Sequence, residues 1–190
     1  MTTFNLFVYG TLMKGCRANS FLPKEAEMVK GKIAGNLYHY SAGYPIVKIL
    51  KHPLSVKGTC IYLKDVEKQE EISMLDSGLE ENGLPFDLNY GRVFGEVYRI
   101  PYSDSDEDRN LIQQLDSYEG FSPDSSYSLY HRTLIPVQTE EGFIWAWVYH
   151  MEVIPESTVH ILTGDWHDCA IKGKLRSEIQ FSILRKRYIT

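Results

Sequence analysis

Six short runs rich in β-branched and aromatic residues, each cut off by glycine, proline or a charged turn, constrain this chain more than any other feature. They are 4–9 (FNLFVY), 33–40, 56–63, 92–100, 128–139 and 143–151, and each reads as a strand. Only two stretches read as helices, 65–75 and 104–118. Both open with acidic residues, which suit the positive end of a helix dipole. The last two strands are joined by Glu140-Glu141-Gly142, a glycine-containing three-residue link expected to form an antiparallel hairpin. Strands outnumber helices and several connect by short turns, so a doubly wound parallel sheet fits poorly. The expectation is α+β: a small, mixed, mostly antiparallel barrel-like sheet with a packed helix.

At 190 residues the chain matches the roughly 100–200 residues of one domain, spanning 1–190, and no linker or low-complexity tract divides it. The formal net charge of −5 would repel phosphodiester backbones, so no nucleic-acid partner is expected. No run reaches the ~18 apolar residues of a membrane helix; the longest, 143–154, contains His150 and Glu152, and no membrane association is expected. The N-terminus lacks a basic start followed by an apolar stretch. Cys16, Cys60 and Cys169 form no C-x-x-C, the usage of unpaired thiols in a reducing compartment, and point to the cytoplasm. Arg185-Lys186-Arg187 reads as a solvated tail. The oligomeric state is left open.

The chemistry concentrates in two places. On the second helix Leu111, Ile112 and Leu115 mark the core-facing stripe, and Glu119 follows Leu115 by four positions, which carries a carboxylate to the buried side. Either the helix ends before Glu119 or a cation neutralises it, or Glu119 is a general acid/base whose proton affinity is raised by desolvation. An internal echo runs from 58–63 and Leu75-Asp76-Ser77 to 95–100 and Leu115-Asp116-Ser117, an old duplication or mere strand-helix repetition. In it Leu79 stands opposite Glu119, and Glu80 and Glu81 point to solvent. The second place is the loop after the first strand, Tyr9-Gly10-Thr11-Leu12: Gly10 allows a sharp turn after which backbone N–H groups converge on an anion, or the loop is an ordinary turn. His160, His167, Asp168 and Cys169 match no standard zinc spacing. A capping helix is expected there, and a metal-dependent hydrolase is the reading a chelator would expose.

Tyr9-Gly10-Thr11-Leu12 after an N-terminal strand, Tyr44-Pro45-Ile46-Val47, Gly95-Glu96-Val97-Tyr98, Leu115-Asp116-Ser117-Tyr118-Glu119-Gly120, Tyr130-His131-Arg132 and Ala146-Trp147-Val148-Tyr149, in this order, resemble the γ-glutamylcyclotransferase-like superfamily (AIG2-like), best over 4–63 and 92–151. The resemblance implies a compact barrel-like α+β domain with one cavity. It implies that the amides of Tyr9, Gly10, Thr11 and Leu12 hold a γ-glutamyl group, that Glu119 performs the proton transfers, and that the Tyr149 hydroxyl hydrogen-bonds the glutamyl group, with Tyr130 the weaker candidate. The stretch 64–91 reads as an insertion and 152–190 as a C-terminal extension. The implied reaction is intramolecular: a small γ-glutamyl compound closes to 5-oxoproline and releases an amine or amino acid, with no cofactor and no metal. The alternative is a non-catalytic small-ligand binding module on the same fold. Free γ-glutamyl amino acids, glutathione, γ-glutamyl-lysine isopeptides and a γ-glutamyl-tagged intermediate all remain open as substrates.

Overall fold

A computed structural model describes residues 2–75, 89–123, 125 and 128–167. Strand β1 (Thr3–Val8) lies at the centre of the sheet, where Phe4 and Leu6 are completely buried. It runs antiparallel to β5 (Gly91–Pro101) over Thr3↔Pro101 to Val8↔Glu96, and parallel to β7 (Gly142–His150) at Leu6↔Trp147 and Phe7↔Val148. β7 forms a hairpin with β6 (His131–Thr139), and β5 pairs with β2 (Glu27–Tyr40). A short contact between β2 and β6, Gly31↔Thr139 and Lys32↔Gln138, closes the ring β2-β5-β1-β7-β6 into a five-stranded barrel. Closure removes the open edges that would otherwise invite foreign strands. The mixed, mostly antiparallel, barrel-like α+β expectation holds.

Three further strands hang on the barrel. β3 (Pro45–Ile49) and β8 (Thr158–Ile161) pair with β2, and β4 (Val56–Lys57) pairs with β6. β2 serves so many partners because it has 14 residues, beginning six positions before the run at 33–40. β3 and β8 went unforeseen: the first is short and the second lies where a capping helix was expected. Two-residue connection also replaces the expected three-residue link, since Thr139 pairs with Gly142, which takes φ 111° as the first residue of β7.

The expected strand 56–63 is corrected. Only Val56–Lys57 is extended, and Tyr62 already opens α1 (Tyr62–Leu75). Asp65 is the reason: its carboxylate accepts both the N–H and the hydroxyl of Thr59, curling the chain into the helix. The echo therefore breaks, because 58–63 is loop and helix start whereas 95–100 is a strand. Its Leu79, Glu80 and Glu81 lie outside the described residues, as do Asp168, Cys169 and Arg185-Lys186-Arg187.

α1 packs on the barrel through Val66, Gln69 and Ile72. Gln69 takes the N–H of Asn5 on its Oε1 (3.0 Å) and donates Nε2 to the Thr3 carbonyl (2.8 Å), pairing a stretch of β1 that β7 does not reach. Unpaired buried backbone groups cost about 1–3 kcal/mol each, so this side chain stands in for a strand. α2 (Asp106–Glu119) begins at a capping box: Ser105 accepts from the Asp108 N–H, and Asp108 accepts from the Ser105 N–H. Among the described residues no helix is long and apolar enough to cross a membrane.

Candidate active site

Directly after β1 the chain enters the wall of a cavity of about 260 Å³. Its lining includes Tyr9, Gly10, Thr11 and Leu12 from the loop, Tyr118 and Glu119 from the end of α2, and Tyr44, Pro45, Leu129, Tyr130, Tyr149 and Arg17. The structure thus gathers every residue that the sequence nominated: Glu119, Tyr9, Gly10, Thr11, Leu12, Tyr149 and Tyr130.

Gly10 is required for a reason the sequence did not show. Its φ is not positive; instead a Cβ at this position would fall 2.2 Å from Pro45 Cγ. The first residue of β3 presses on the loop, and only a bare backbone fits. Beyond it the loop folds on itself through Met13 N–H to the Gly10 carbonyl (2.9 Å) and Ala18 N–H to the Thr11 carbonyl (2.9 Å). Among the described residues, the backbone N–H groups of Gly10, Thr11 and Leu12 have no hydrogen-bond partner. Such free donors at a cavity wall are an anion or oxyanion site. The loop is fastened from behind by Glu96, whose carboxylate accepts the Lys14 N–H (2.8 Å) and the Tyr98 hydroxyl (3.1 Å), and by Asn19, which donates to the Leu12 carbonyl (2.9 Å).

Glu119 is the last residue of α2. Gly120 takes the left-handed conformation (φ 64°) and ends the helix, its N–H returning to the carbonyls of Asp116 and Ser117. The carboxylate is held on the core side of a helix end rather than carried out to solvent. No cation neutralises it among the described residues, and burial alone pushes its pKa up to about 7. Its charge also adds to the burial that raises Tyr9, Tyr130 and Tyr149, so these phenols remain protonated.

The three hydroxyls are committed as donors. Tyr9 donates to the Tyr149 carbonyl (2.8 Å), Tyr130 to the Pro45 carbonyl (3.1 Å), and Tyr149 to Asp116 Oδ1 (2.6 Å). The hydroxyl expected to meet a glutamyl group donates to Asp116 and tethers Tyr149 to α2, so the loop N–H groups are backbone donors that remain free in the lining.

Beneath the cavity lies a charge cluster that the sequence reading missed. Arg132, completely buried, bonds Asp116 Oδ1 with Nη1 (2.8 Å) and Asp65 Oδ2 with Nη2 (2.6 Å). The rings of Phe4, Tyr62, Phe121 and Trp147 surround its guanidinium at 5.1–5.6 Å. Gly58 makes room for it, since a Cβ there would sit 2.6 Å from Arg132 Nε. Burial raises the pKa of both Asp116 and Asp65 while Arg132 opposes the rise. The one available signal was spacing: Asp116 precedes Glu119 by three positions and so shares its helix face. Of the suspected metal-ligating residues, His160 stacks on Tyr38 at 5.0 Å, and the His167 backbone N–H bonds Asp165. Among the described residues no three His, Cys, Asp or Glu side chains are arranged to hold a metal ion.

The closed mixed barrel thus places one carboxylate, with its pKa raised by burial, and the loop amides in the lining of one small cavity. The chain matches the profile of the family described as "Gamma-glutamyl cyclotransferase, AIG2-like" over residues 6–84 and 79–168, and it belongs to that family. No functionally curated protein matches it. Among solved structures, YkqA from Bacillus subtilis is similar in fold, with a TM-score of 0.51 at 22% identity. That overlay covers 90% of this chain, which spans only 42% of the YkqA chain. Looser likenesses are an uncharacterized protein from Pyrococcus horikoshii (TM-score 0.48, 19% identity, covering 90% of this chain and 95% of the other) and an AIG2-like protein from Mus musculus (0.43, 16%, 83% and 83%).

Proposed function

We propose that this protein is an intramolecular cyclotransferase that converts a small γ-glutamyl compound to 5-oxoproline and a free amine or amino acid. The observation that carries the reading is Glu119: a half-buried carboxylate without a counterion among the described residues, with its pKa pushed up to about 7, in the same cavity as the free N–H groups of Gly10, Thr11 and Leu12. A group titrating near neutrality both accepts and returns a proton at working pH. Asp116, the other acid on this helix face, is paired with Arg132 and Tyr149 and has no such freedom. The cavity of about 260 Å³ lies near the lower end of the roughly 300–1,000 Å³ common for small-molecule sites and suits a dipeptide-sized ligand.

In this mechanism Glu119 takes a proton from the substrate's α-ammonium. The freed amine nitrogen attacks the γ-carbonyl carbon, and the carbonyl electron pair moves onto oxygen, where the loop N–H groups receive it. Collapse breaks the bond to the leaving nitrogen, which takes the proton back from Glu119, and the second proton of the attacking nitrogen follows through the same carboxylate, so that the ring nitrogen ends neutral and the amine departs as its ammonium. The new N–C bond closes the lactam, no water is consumed and Glu119 ends in its starting state. Because nucleophile and electrophile share one molecule, holding the folded conformer is worth about 7–11 kcal/mol, and the proton transfers add roughly 10²- to 10⁴-fold. The free thiols Cys16 and Cys60 support a reducing, cytoplasmic setting.

The test is a panel of γ-glutamyl compounds assayed by mass spectrometry of the glutamyl fragment. Release of 5-oxoproline, lost in Glu119→Gln, is expected. Glutamate as first product would replace the scheme with hydrolysis, and binding without any product would make the chain a small-ligand binding module.

A further inference from the structure

Apart from Glu119, the charged residue among those lining the cavity is Arg17. It follows the folded loop, next to Ala18, whose N–H is bonded to the Thr11 carbonyl, so its position is set by the same segment that supplies the free amides. Arg17 is exposed whereas Glu119 is half-buried. One therefore stands at the opening and the other inside. Among the described residues no ion pair or side-chain hydrogen bond engages Arg17, although six other arginine–carboxylate contacts are formed there, by Arg99, Arg109 and Arg132. The rim beside it is ordered by the Thr11 and Tyr118 hydroxyls, 3.1 Å apart, and by the Phe21 ring against Tyr118 at 5.0 Å.

We infer that Arg17 is a specificity residue that reads a carboxylate on the leaving group, so that the favoured substrates are γ-glutamyl amino acids rather than γ-glutamylamines. The inference rests on the cyclotransferase reading for its orientation: the reacting α-amine must reach Glu119 inside, which directs the group beyond the scissile amide toward the opening, where Arg17 is. An unengaged guanidinium is a planar fork of donors matched to a carboxylate. The chain as a whole is acidic, with a formal net charge of −5, so a cation at this rim is also what draws an anionic dipeptide in against the general field.

Two compounds that differ only in this carboxylate decide the matter: γ-glutamyl-leucine and γ-glutamyl-(3-methylbutyl)amine. With wild-type protein, kcat/KM for 5-oxoproline release is expected to favour the leucine compound about tenfold, the low end for a charge-assisted contact at an exposed site. In Arg17→Met this preference should collapse to near unity through loss on the leucine compound alone. Equal losses on both compounds would place Arg17 on the glutamyl carboxylate and overturn the inference, as would an undiminished preference. The same ratio is read without turnover, as ligand-induced stabilisation of Glu119→Gln against the Glu119→Gln/Arg17→Met double variant. If the ligands bind with the stated ratio but wild-type protein forms no 5-oxoproline, the cyclotransferase reading fails and the Arg17 assignment stands. If the leucine compound does not stabilise the protein over the amine, the Arg17 assignment fails whatever the chemistry.

Discussion

The Tyr149 hydroxyl donates a 2.6 Å hydrogen bond to Asp116, three positions before Glu119 on the same helix. A strand of the barrel and the helix that carries the acid are thereby joined directly under the cavity, with Arg132 bonded to the same Asp116 oxygen. Tyr149→Phe removes one donor and leaves the ion pair, which predicts a loss of about 1–2 kcal/mol in stability, read by denaturant titration. The variant should retain turnover, because the phenol oxygen is engaged with the helix rather than free toward a ligand. A loss of kcat as large as that of Glu119→Gln would place the hydroxyl in the chemistry instead.

Arg132→Met leaves Asp65 and Asp116 buried without their cation. Breaking such a pair costs about 3–5 kcal/mol at neutral pH. The two carboxyl pKa values, already raised by burial, would rise further above their unfolded values. The ionised forms then penalise the native state, and the penalty is relieved as falling pH protonates them. The gap in melting temperature between variant and wild type should narrow from pH 7 toward pH 4; a gap that widened would show that charge is not the cause.

Glu119→Gln is expected to lower kcat at least a hundredfold while stabilising the fold at alkaline pH. The folded pKa of about 7 lies above the usual glutamate value of 4.5. Ionisation therefore costs native stability once pH passes 4.5, reaching its full value above 7. At pH 8 the variant should be more stable by about 3 kcal/mol, seen as several degrees in melting temperature, and at pH 4 the difference should vanish. In wild-type protein the acid limb of kcat/KM should bend near pH 7. A variant that keeps more than a tenth of the rate would remove Glu119 from its role.

Gly10→Ala puts a methyl group into Pro45, where the clash with Cγ is at 2.2 Å but Pro45 Cβ is 3.6 Å away. Overpacking of this kind costs about 1–3 kcal/mol, and here it also displaces the free amides, so activity should fall sharply. Pairing it with Pro45→Ala removes Cγ and Cδ and should restore most of the loss, a coupling that a double-mutant cycle measures. Thr11→Ser, which keeps the main-chain donors, should be mild.

An N-acetylated γ-glutamyl compound lacks both the nucleophilic lone pair and the ammonium proton that Glu119 removes. It is expected to bind without reacting, as a competitive inhibitor of 5-oxoproline release. Turnover of this compound would mean that water, not the α-amine, is the nucleophile.

Local pattern alone was enough for the strands at 4–9, 92–100, 128–139 and 143–151, for both helices, and for Glu119, because alternation and the 3.6-residue repeat are properties of neighbouring residues. The loop 9–12 was legible for the same reason: a strand that halts at glycine has to turn. What tertiary structure decided are the relations between residues far apart in the chain. Gly10 is needed because Pro45, 35 positions on, packs against it. Residues 58–63 leave the extended state because Asp65 draws Thr59 back and Arg132 occupies the space beside Gly58. That the Tyr149 hydroxyl donates to Asp116, 33 positions earlier in the chain, is likewise a relation no local pattern carries. The proton affinity of Glu119 itself follows from desolvation by elements that only the closed barrel brings together. Composition can nominate a carboxylate, but only burial sets the pH at which it works.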